Sequence, residues 1–403
     1  MLKGASEVSI YTNRSVTFRF SGLQLEFALS LGLFSSSQVD RGSRLLLKSL
    51  AGHEITLRAQ KILDTGSGVG VLGVSLAALC PDALAVLFSK YNADANRLAN
   101  TSALGELAFE TPKSDFDLIV ANLPAKAGAS VLAMFCRRAL GLLAHRGVVA
   151  LVVVAPLESL VRDSLAEASG EIIFEERGAA HTVLHAVAPT PSIHTTAVSR
   201  EPIDPAYLRT SSAAVVAGTR IELDTVHGLG EFDTPSFATS IAAELFSELS
   251  IERLRGGSVL YWNPGQGHIP LLLAQRRGVG SVAVAGRDLL ALRICASNLR
   301  RIGSSGVAVH HLAGPFAIGN NPNVPSKRYD AIVAHLDPVS GVPEHEHILT
   351  GVRRCVAPGG CFLVYGSSQA LHRLGSVSRN MRLLGTKRRH GFRVDGYEVG
   401  EAV

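Results

Sequence analysis

A buried strand that runs straight into a glycine turn leaves a chain few folds to choose from. Lys61-Ile62-Leu63-Asp64-Thr65-Gly66-Ser67-Gly68-Val69-Gly70-Val71-Leu72-Gly73 is such a stretch. Its apolar start predicts a strand and its continuation predicts a helix over Val71–Leu79. Glycine has no Cβ, so it takes positive φ and lets the backbone approach a ligand closely. The helix start adds unpaired N–H groups and the positive end of the helix dipole. Asp64 is placed at the strand end, where open α/β sheets present their ligand crevice. The spacing is Asp-x-Gly-x-Gly-x-Gly. The dinucleotide fingerprint Gly-x-Gly-x-x-Gly, read from Gly66, wants glycine at position 71 and meets Val71. With no ligand, the same residues make a tight strand-to-helix turn.

The residues around this stretch alternate strand and helix patterns. A β-hairpin is predicted over Val16–Phe20 and Leu23–Leu29 about Gly22. Asp40 or Ser43 is positioned to cap a helix running to Leu50. After the glycine turn come a strand over Leu84–Phe88, a helix over Ala93–Leu104 and a strand over Phe116–Ala121. That strand ends at Asn122-Leu123-Pro124-Ala125. A helix over Ser130–Leu143, a strand over Val148–Ala155, a helix over Leu157–Ala168 and an edge hairpin near Ile172–Glu175 and Thr182–Val187 complete the set. Alternating strands and helices predict a mostly parallel sheet covered on both faces.

The order then repeats. Gly218 to Leu223 echoes Gly22 to Phe27, and Gly228-Leu229 with Asp233 to Ser236 echoes Gly32-Leu33 with Asp40 to Ser43. Val259 to His268 falls where the first glycine turn fell, Tyr329 to Pro338 where Phe116 to Pro124 fell, and Val356 to Val364 where Leu143 to Val152 fell. Five landmarks in one order make the chain two copies of one fold. The predicted domains are 1–190 and 206–403, joined by a Pro/Ser/Thr-rich linker over 191–205.

Composition narrows the function classes. With 47% apolar and 18% charged residues, two sizeable cores can form in 403 residues. The apolar run from Val148 to Leu157 is too short to cross a bilayer. The start Met1-Leu2-Lys3-Gly4-Ala5 lacks the apolar core of a signal peptide, and the five cysteines form no Cys-x-x-Cys pair. A cytoplasmic protein with reduced thiols and no bound metal is expected. The net charge of +5 permits an RNA partner without specifying one.

Together these residues resemble the "small domain" class I S-adenosylmethionine-dependent methyltransferases, in particular ribosomal RNA guanine-N2 methyltransferases. The resemblance rests on Gly32-Leu33-Phe34-Ser35 with Asp40-x-Gly42-Ser43-x-Leu45-Leu46-Leu47, on the glycine turn, and on Phe116 to Asn122. It covers about residues 15–190, and the repeat extends it to the end. It implies two tandem Rossmann-like domains, each a seven-stranded, mostly parallel sheet with helices on both faces and an N-terminal hairpin. It also implies S-adenosyl-L-methionine as cofactor, held by Asp64, Thr65, Gly66, Ser67, Gly68 and Gly70. Asn122, Leu123 and Pro124 would form the catalytic turn. The Asn122 amide oxygen and the Leu123 carbonyl would accept both hydrogens of an exocyclic base amine and aim its lone pair, and Pro124 would stiffen the turn. The alternative for Asn122 is a turn residue that caps the next helix.

Two departures stand out. The family's Asn-Pro-Pro-aromatic turn reads Asn122-Leu123-Pro124-Ala125, which drops a base stack worth about 1–3 kcal/mol. The acid that holds the cofactor ribose is missing at Phe88-Ser89-Lys90, and Asp94 lies a turn too far along. The second copy departs further. Asn263 is expected in place of the acid, Ile269 in place of the third glycine, and His335-Leu336-Asp337-Pro338 in place of the catalytic turn, with Asp288 at the second strand end. The family tends to keep its active copy last, whereas here the first copy has the better glycine turn.

Other features have blander readings. Glu344-His345-Glu346-His347 is expected in a solvated loop, His310-His311 at a strand edge, and Trp262 in the core. From residue 201 onward there are 21 basic and 17 acidic residues, against 18 and 17 before. Arg379, Arg382, Lys387, Arg388, Arg389 and Arg393 cluster there with His390, either to grip RNA phosphates or as a solvated basic edge. The expected function is methyl transfer to an exocyclic base amine of ribosomal or other RNA. The rivals are a decayed RNA-binding or assembly protein, a protein side-chain amide methyltransferase, and a nicotinamide oxidoreductase, which the glycine spacing opposes.

Overall fold

Paired positive-φ residues set both hairpins. Ser21 and Gly22 (φ 46° and 82°) and Ala217 and Gly218 (φ 47° and 75°) match the tight turn that suits two right-twisted strands. In the computed structural model they join β1 (Thr12–Phe20) to β2 (Leu23–Ser30), and β9 (Leu208–Val216) to β10 (Thr219–Val226). The structure describes residues 5–33, 37–51, 55, 58–76, 78–79, 83–98, 102–103, 105–107, 109–110, 114–188, 203–232, 234–249, 254–304, 306–314, 328–336, 342–375 and 381–400. The chain divides into two units, Met1–Tyr207 and Leu208–Val403.

The first unit opens with α1 (Ala5–Tyr11) and the β1–β2 hairpin, followed by α2 (Arg41–Ala51). Then come β3 (Ile62–Thr65), α3 (Val71–Leu76), β4 (Ala78–Leu79), α4 (Ala83–Ala95), β5 (Phe116–Asn122) and α5 (Ala129–Gly141). It ends with β6 (Leu143–Val154), α6 (Glu158–Glu167), β7 (Glu171–Arg177) and β8 (His181–Val187). The sheet order is β4-β3-β5-β6-β8-β7. The strands from β4 to β6 are parallel, and β8 and β7 close the edge as an antiparallel hairpin. Leu118, Val120, Val148, Ala150 and Val152 face one apolar layer with Phe27, Leu29, Leu46, Leu47 and Leu50. The hairpin extension and α2 are thus parts of the same core.

The second unit repeats this order. It contains α7 (Phe237–Glu248), β11 (Ser258–Trp262), α8 (His268–Arg277), β12 (Ser281–Gly286), α9 (Leu289–Arg301) and β13 (Ala308–His311). There follow β14 (Tyr329–His335), α10 (Val342–Cys355), β15 (Val356–Ser367), α11 (Ser368–Gly375), β16 (Met381–Arg389) and β17 (Phe392–Val399). Its sheet runs β13-β12-β11-β14-β15-β17-β16. Each unit is therefore a class I methyltransferase-type sheet, parallel in the middle and antiparallel at one edge.

The first sheet has six strands among the described residues and the second has seven. Three expectations need correction. Leu84–Phe88, expected as a strand, lies in α4, so the helix comes earlier than Ala93–Leu104. A short apolar run has no period that separates a buried strand from a buried helix, and this one is rich in the helix formers Ala and Leu. The helix after the glycine turn stops at Leu76 rather than Leu79. Glu344 to His347 lie within α10, not in a loop. Trp262 is buried in the second core, and His310 and His311 lie on the edge strand β13, as expected. Cys136, Cys295, Cys355 and Cys361 are buried and form no disulfide. Among the described residues no helix is long and apolar enough to cross a membrane.

Candidate functional site

The strand order reverses at β3, whose next strand in sequence, β4, lies on one side and β5 on the other. The crevice at the carboxyl ends of strands so placed is the usual ligand site of an open α/β sheet. Asp64 and Thr65 end β3, beside Val120 and Ala121 of β5. Asn122 ends β5. The two groups of residues predicted for cofactor and catalysis therefore meet at one edge of the sheet.

Asp64 is fully buried, and neither carboxylate oxygen meets a hydrogen-bond donor. Burial pushes its pKa up to about 8, against a smaller opposing influence of the Gly73 N–H. That amide does not close a bond, since both oxygens remain unpaired, so its effect is electrostatic at longer range. Thr65 Oγ1 is also buried and unpaired. Lone polar groups of this kind are costly unless a partner arrives. A cationic ligand group would supply that partner for Asp64.

The turn that follows is built on three left-handed glycines, Gly66 (φ 75°), Gly68 (φ 56°) and Gly70 (φ 84°). They do different work. A Cβ on Gly66 would meet nothing within 4 Å, so the first bend faces open space. A Cβ on Gly70 would lie 3.1 Å from the Ser89 Cα and Oγ, so this glycine admits α4 against the turn. Ser67 Oγ lies 3.1 Å from Ser89 Oγ, which makes Ser67 a brace between turn and helix. α3 spans Val71–Leu76 alone, so its dipole adds little at the turn.

Asn92 was not singled out in the sequence, yet it locks the turn in place. It is fully buried on α4. Its Oδ1 accepts the Ala28 N–H at 2.8 Å, and its Nδ2 donates to Ala28 O at 3.1 Å and Val69 O at 2.8 Å. Asn298 of α9 does the same in the second unit, accepting from Asp224 N at 2.8 Å and donating to Asp224 O at 2.9 Å and Gln266 O at 3.0 Å. An asparagine recurring at one place in both copies was the available signal, but the misplaced first helix hid it.

The turn expected to be catalytic is held from behind. Asn122 Nδ2 donates to Asp40 Oδ1 at 3.0 Å and to Ser43 Oγ at 3.2 Å. Asp40 also accepts the Ser43 N–H at 3.0 Å and so caps α2, as expected. Asn122 does not cap α5, whose first flanking residue is Gly128 with no side-chain cap. The Leu123 N–H donates to Val152 O at 2.9 Å and its side chain is buried, whereas Pro124, Ala125 and Lys126 are exposed.

The second copy aligns differently from the sequence reading. Tyr261 pairs with Val333 as Asp64 pairs with Val120, two residues before His335 and Asn122 respectively. Asn263 (φ 50°), Gly265 (φ 57°) and Gly267 (φ 103°) repeat the left-handed pattern of Gly66, Gly68 and Gly70. The residue in the place of the acid is thus Tyr261, not Asn263, and the third glycine survives as Gly267 instead of becoming Ile269. Asparagine is tolerant of positive φ, which is why it can stand where Gly66 stands. Its side chain has consequences: Asn263 Nδ2 donates to His335 O at 3.4 Å, and its Oδ1 would lie 2.8 Å from a Cβ on Gly286. The space left open at Gly66 is filled here. Tyr261 OH is buried and unpaired, and Tyr365 stacks on His335 with ring centres 4.8 Å apart. Asp288 caps α9 by accepting the Ala291 N–H at 3.1 Å, and burial holds its pKa above the usual range. Asp337 and Pro338 lie outside the described residues.

The basic cluster is largely paired. Lys387 Nζ meets Glu248 Oε1 at 2.5 Å, Arg389 meets Glu244 at 3.0 Å, Arg382 meets Glu398 at 2.5 Å and Arg393 meets Asp395 at 2.8 Å. They lie on or beside the edge strand β16, and Arg379 lies outside the described residues. Of the two readings of this cluster, these ion pairs with α7 and β17 fit the solvated basic edge.

Known proteins share parts of this sequence and its fold. Residues 24–184 match the model of the methyltransferase small domain. An uncharacterized protein, YbxB, of Bacillus subtilis is 32% identical over 136 residues, covering 31% of this chain and 66% of that protein. Ribosomal RNA small subunit methyltransferase C of Salmonella choleraesuis is 37% identical over 105 residues, covering 24% of this chain and 30% of that enzyme. The chain thus spans just under two thirds of the first relative's length and less than a third of the second's. The solved T. thermophilus 16S rRNA N2 G1207 methyltransferase (RsmC), in complex with AdoMet and guanosine, shares the fold across 97% of this chain and 99% of its own, with a TM-score of 0.67 and 18% identity. Residues 24–184 thus match the methyltransferase small domain, and the chain shares the two-unit fold of that solved structure from end to end.

Proposed function

We propose that this chain methylates an exocyclic base amine of ribosomal RNA, with guanine N2 the preferred acceptor, and that its first copy does the chemistry. One observation carries the reading: an unpaired, fully buried Asp64 and an oriented Asn122 end neighbouring strands at the switch point of the first sheet. S-adenosylmethionine, when bound, supplies a methyl group on a sulfonium. Asp64 would hold its cationic methionine end, Gly66 would give the backbone room, and Thr65, Ser67, Gly68 and Gly70 would shape the turn. Asn122 and the Leu123 carbonyl would accept the hydrogens of the acceptor amine and leave the nitrogen lone pair facing the methyl carbon. Such a reaction needs little proton chemistry, so positioning dominates.

The ribose acid missed in the sequence has a candidate. Asp82 stands immediately before α4 in the sequence as Asp288 stands immediately before α9, although Asp82 lies outside the described residues. The second copy, with Tyr261 and Asn263 in the crevice, is a support for RNA or fold rather than a second cofactor site. Exposed Ala125, where the family has an aromatic, favours the rival reading of a decayed RNA-binding or assembly protein.

Titration calorimetry with S-adenosylmethionine, followed by transfer of labelled methyl groups to ribosomal RNA, tests the proposal. One cofactor per chain and labelled guanine are expected. Cofactor binding should be lost in Asp64→Ala and kept in Asp288→Ala. A wild type that binds no cofactor would establish the decayed reading, and loss in Asp288→Ala alone would move the site to the second copy.

A further inference from the structure

We propose that Asp40 is a positioning residue that fixes which end of the Asn122 amide faces the acceptor amine. The inference rests on the proposed chemistry at Asn122 but reaches a residue that touches neither cofactor nor substrate. A primary amide has a donor end and an acceptor end of nearly equal shape, so something must choose between its two orientations. A carboxylate oxygen offers acceptors alone. Asp40 Oδ1 lies 3.0 Å from Asn122 Nδ2, with Ser43 Oγ at 3.2 Å as a second acceptor. With both donor hydrogens engaged behind the turn, Asn122 Oδ1 points the other way and meets no donor among the described residues. That free acceptor is what an amine N–H requires.

The fit is tight. A Cβ on Gly42 would lie 3.2 Å from Asp40 Oδ1, 3.4 Å from Asn122 Nδ2 and 3.2 Å from His181 Cδ2. A side chain at position 42 would press on all three at once. Capping of α2 does not by itself demand an acid, because serine, threonine and asparagine cap as well as aspartate. The second copy demonstrates this. Ser236 caps α7 there by accepting the Thr239 N–H at 3.2 Å, and His335 ends the strand that Asn122 ends in the first copy. A serine cap thus suffices in the copy whose strand ends in histidine rather than asparagine.

The test separates cap from orienter. Asp40→Ser keeps a capping oxygen but is too short to hold Asn122, so melting temperature and S-adenosylmethionine affinity should stay near wild type. Turnover should fall roughly 10–100-fold, the scale expected when a reacting group is misplaced. Asp40→Asn restores an acceptor oxygen of the right reach and should recover part of the rate. The double variant Asp40→Ser/Asn122→Ala should be no slower than Asn122→Ala alone, since both changes remove one device. A readout independent of turnover is the hydrogen exchange of the Asn122 side-chain NH2 in protein labelled with 15N-asparagine, its signal assigned with Asn122→Ala. It should be protected in wild type and unprotected in Asp40→Ser. Equal protection in both, or additive losses in the double variant, would overturn the proposal. A wild type that transfers no methyl group but loses protection in Asp40→Ser would remove the assigned reaction and leave the Asp40–Asn122 device in place.

Discussion

If Asp64 holds a cationic ligand group as proposed, it should link stability and binding in opposite directions, and pH should expose both. In the folded protein without ligand its pKa lies at about 8, against an ordinary 3.8, because burial penalises the charged form. The unfolded chain ionises this group near 4 while the fold resists until about 8. The contribution of Asp64 to stability is therefore whole below about pH 4, declines as pH rises, and is lost through the folded pKa. At roughly 1.36 kcal/mol per pH unit, the penalty at neutral pH has an upper bound of about 4 kcal/mol. Asp64→Asn removes the titration and keeps the shape, and its buried amide leaves as many unpaired atoms as a protonated carboxyl. The ligand-free variant should melt higher than wild type near neutrality, by about 2–4 °C for each kcal/mol recovered in a unit of this size. Its stability should also be flat from about pH 5 to 8, where wild type declines. Binding runs the other way. If a cationic ligand needs the carboxylate, wild-type affinity should rise about tenfold per pH unit below 8 and then level off, with proton release on binding. Asp64→Asn should lose that affinity. Thermal melts and calorimetry across this range are the assays. A wild-type melting temperature and Kd that do not change with pH would refute the account of Asp64 as an uncompensated buried acid.

Other consequences follow from the same structure. Asn92→Ala and Asn298→Ala each remove the three hydrogen bonds of a buried amide and should destabilise their own unit by about 2–4 kcal/mol in denaturant titration. Tyr261→Phe deletes an unpaired buried hydroxyl and should be neutral or stabilising by up to about 1–2 kcal/mol, without creating cofactor affinity. Neutralising Lys387, Arg388 and Arg389 together should change the salt slope of RNA affinity by no more than about one, because Lys387 and Arg389 already face carboxylates. A change near three would restore that ridge as a phosphate grip.

The architecture was legible because repetition needs no contact information. A strand, a glycine turn and a helix, met twice at matching places with hairpins before and after, define two parallel-centred sheets from periodicity and turn chemistry alone. Asp64, the three glycines and Asn122 were likewise visible, because each is a residue type whose backbone or hydrogen-bonding needs are unusual. Register was not visible. Tyr261 stands in the place of Asp64 because β11 pairs with β14 at Val333, and that pairing is settled by which faces the two sheets bury, not by the letters beside the turn. Asn263 looked like a replaced acid and is a glycine replacement, with a side chain in the space Gly66 leaves open. Leu84–Phe88 has no period that separates strand from helix, so its letters alone did not declare the helix found there. The pairing of cationic side chains with carboxylates on α7 and β17 also needed the tertiary fold, since Lys387 and Arg389 lie far in sequence from Glu248 and Glu244. So did the contact of Asp40 with Asn122, which joins a helix start to a strand end. Sequence alone set local conformation and the kinds of chemistry available, and tertiary structure decided which groups meet, because a contact depends on strand register and on the faces the core buries.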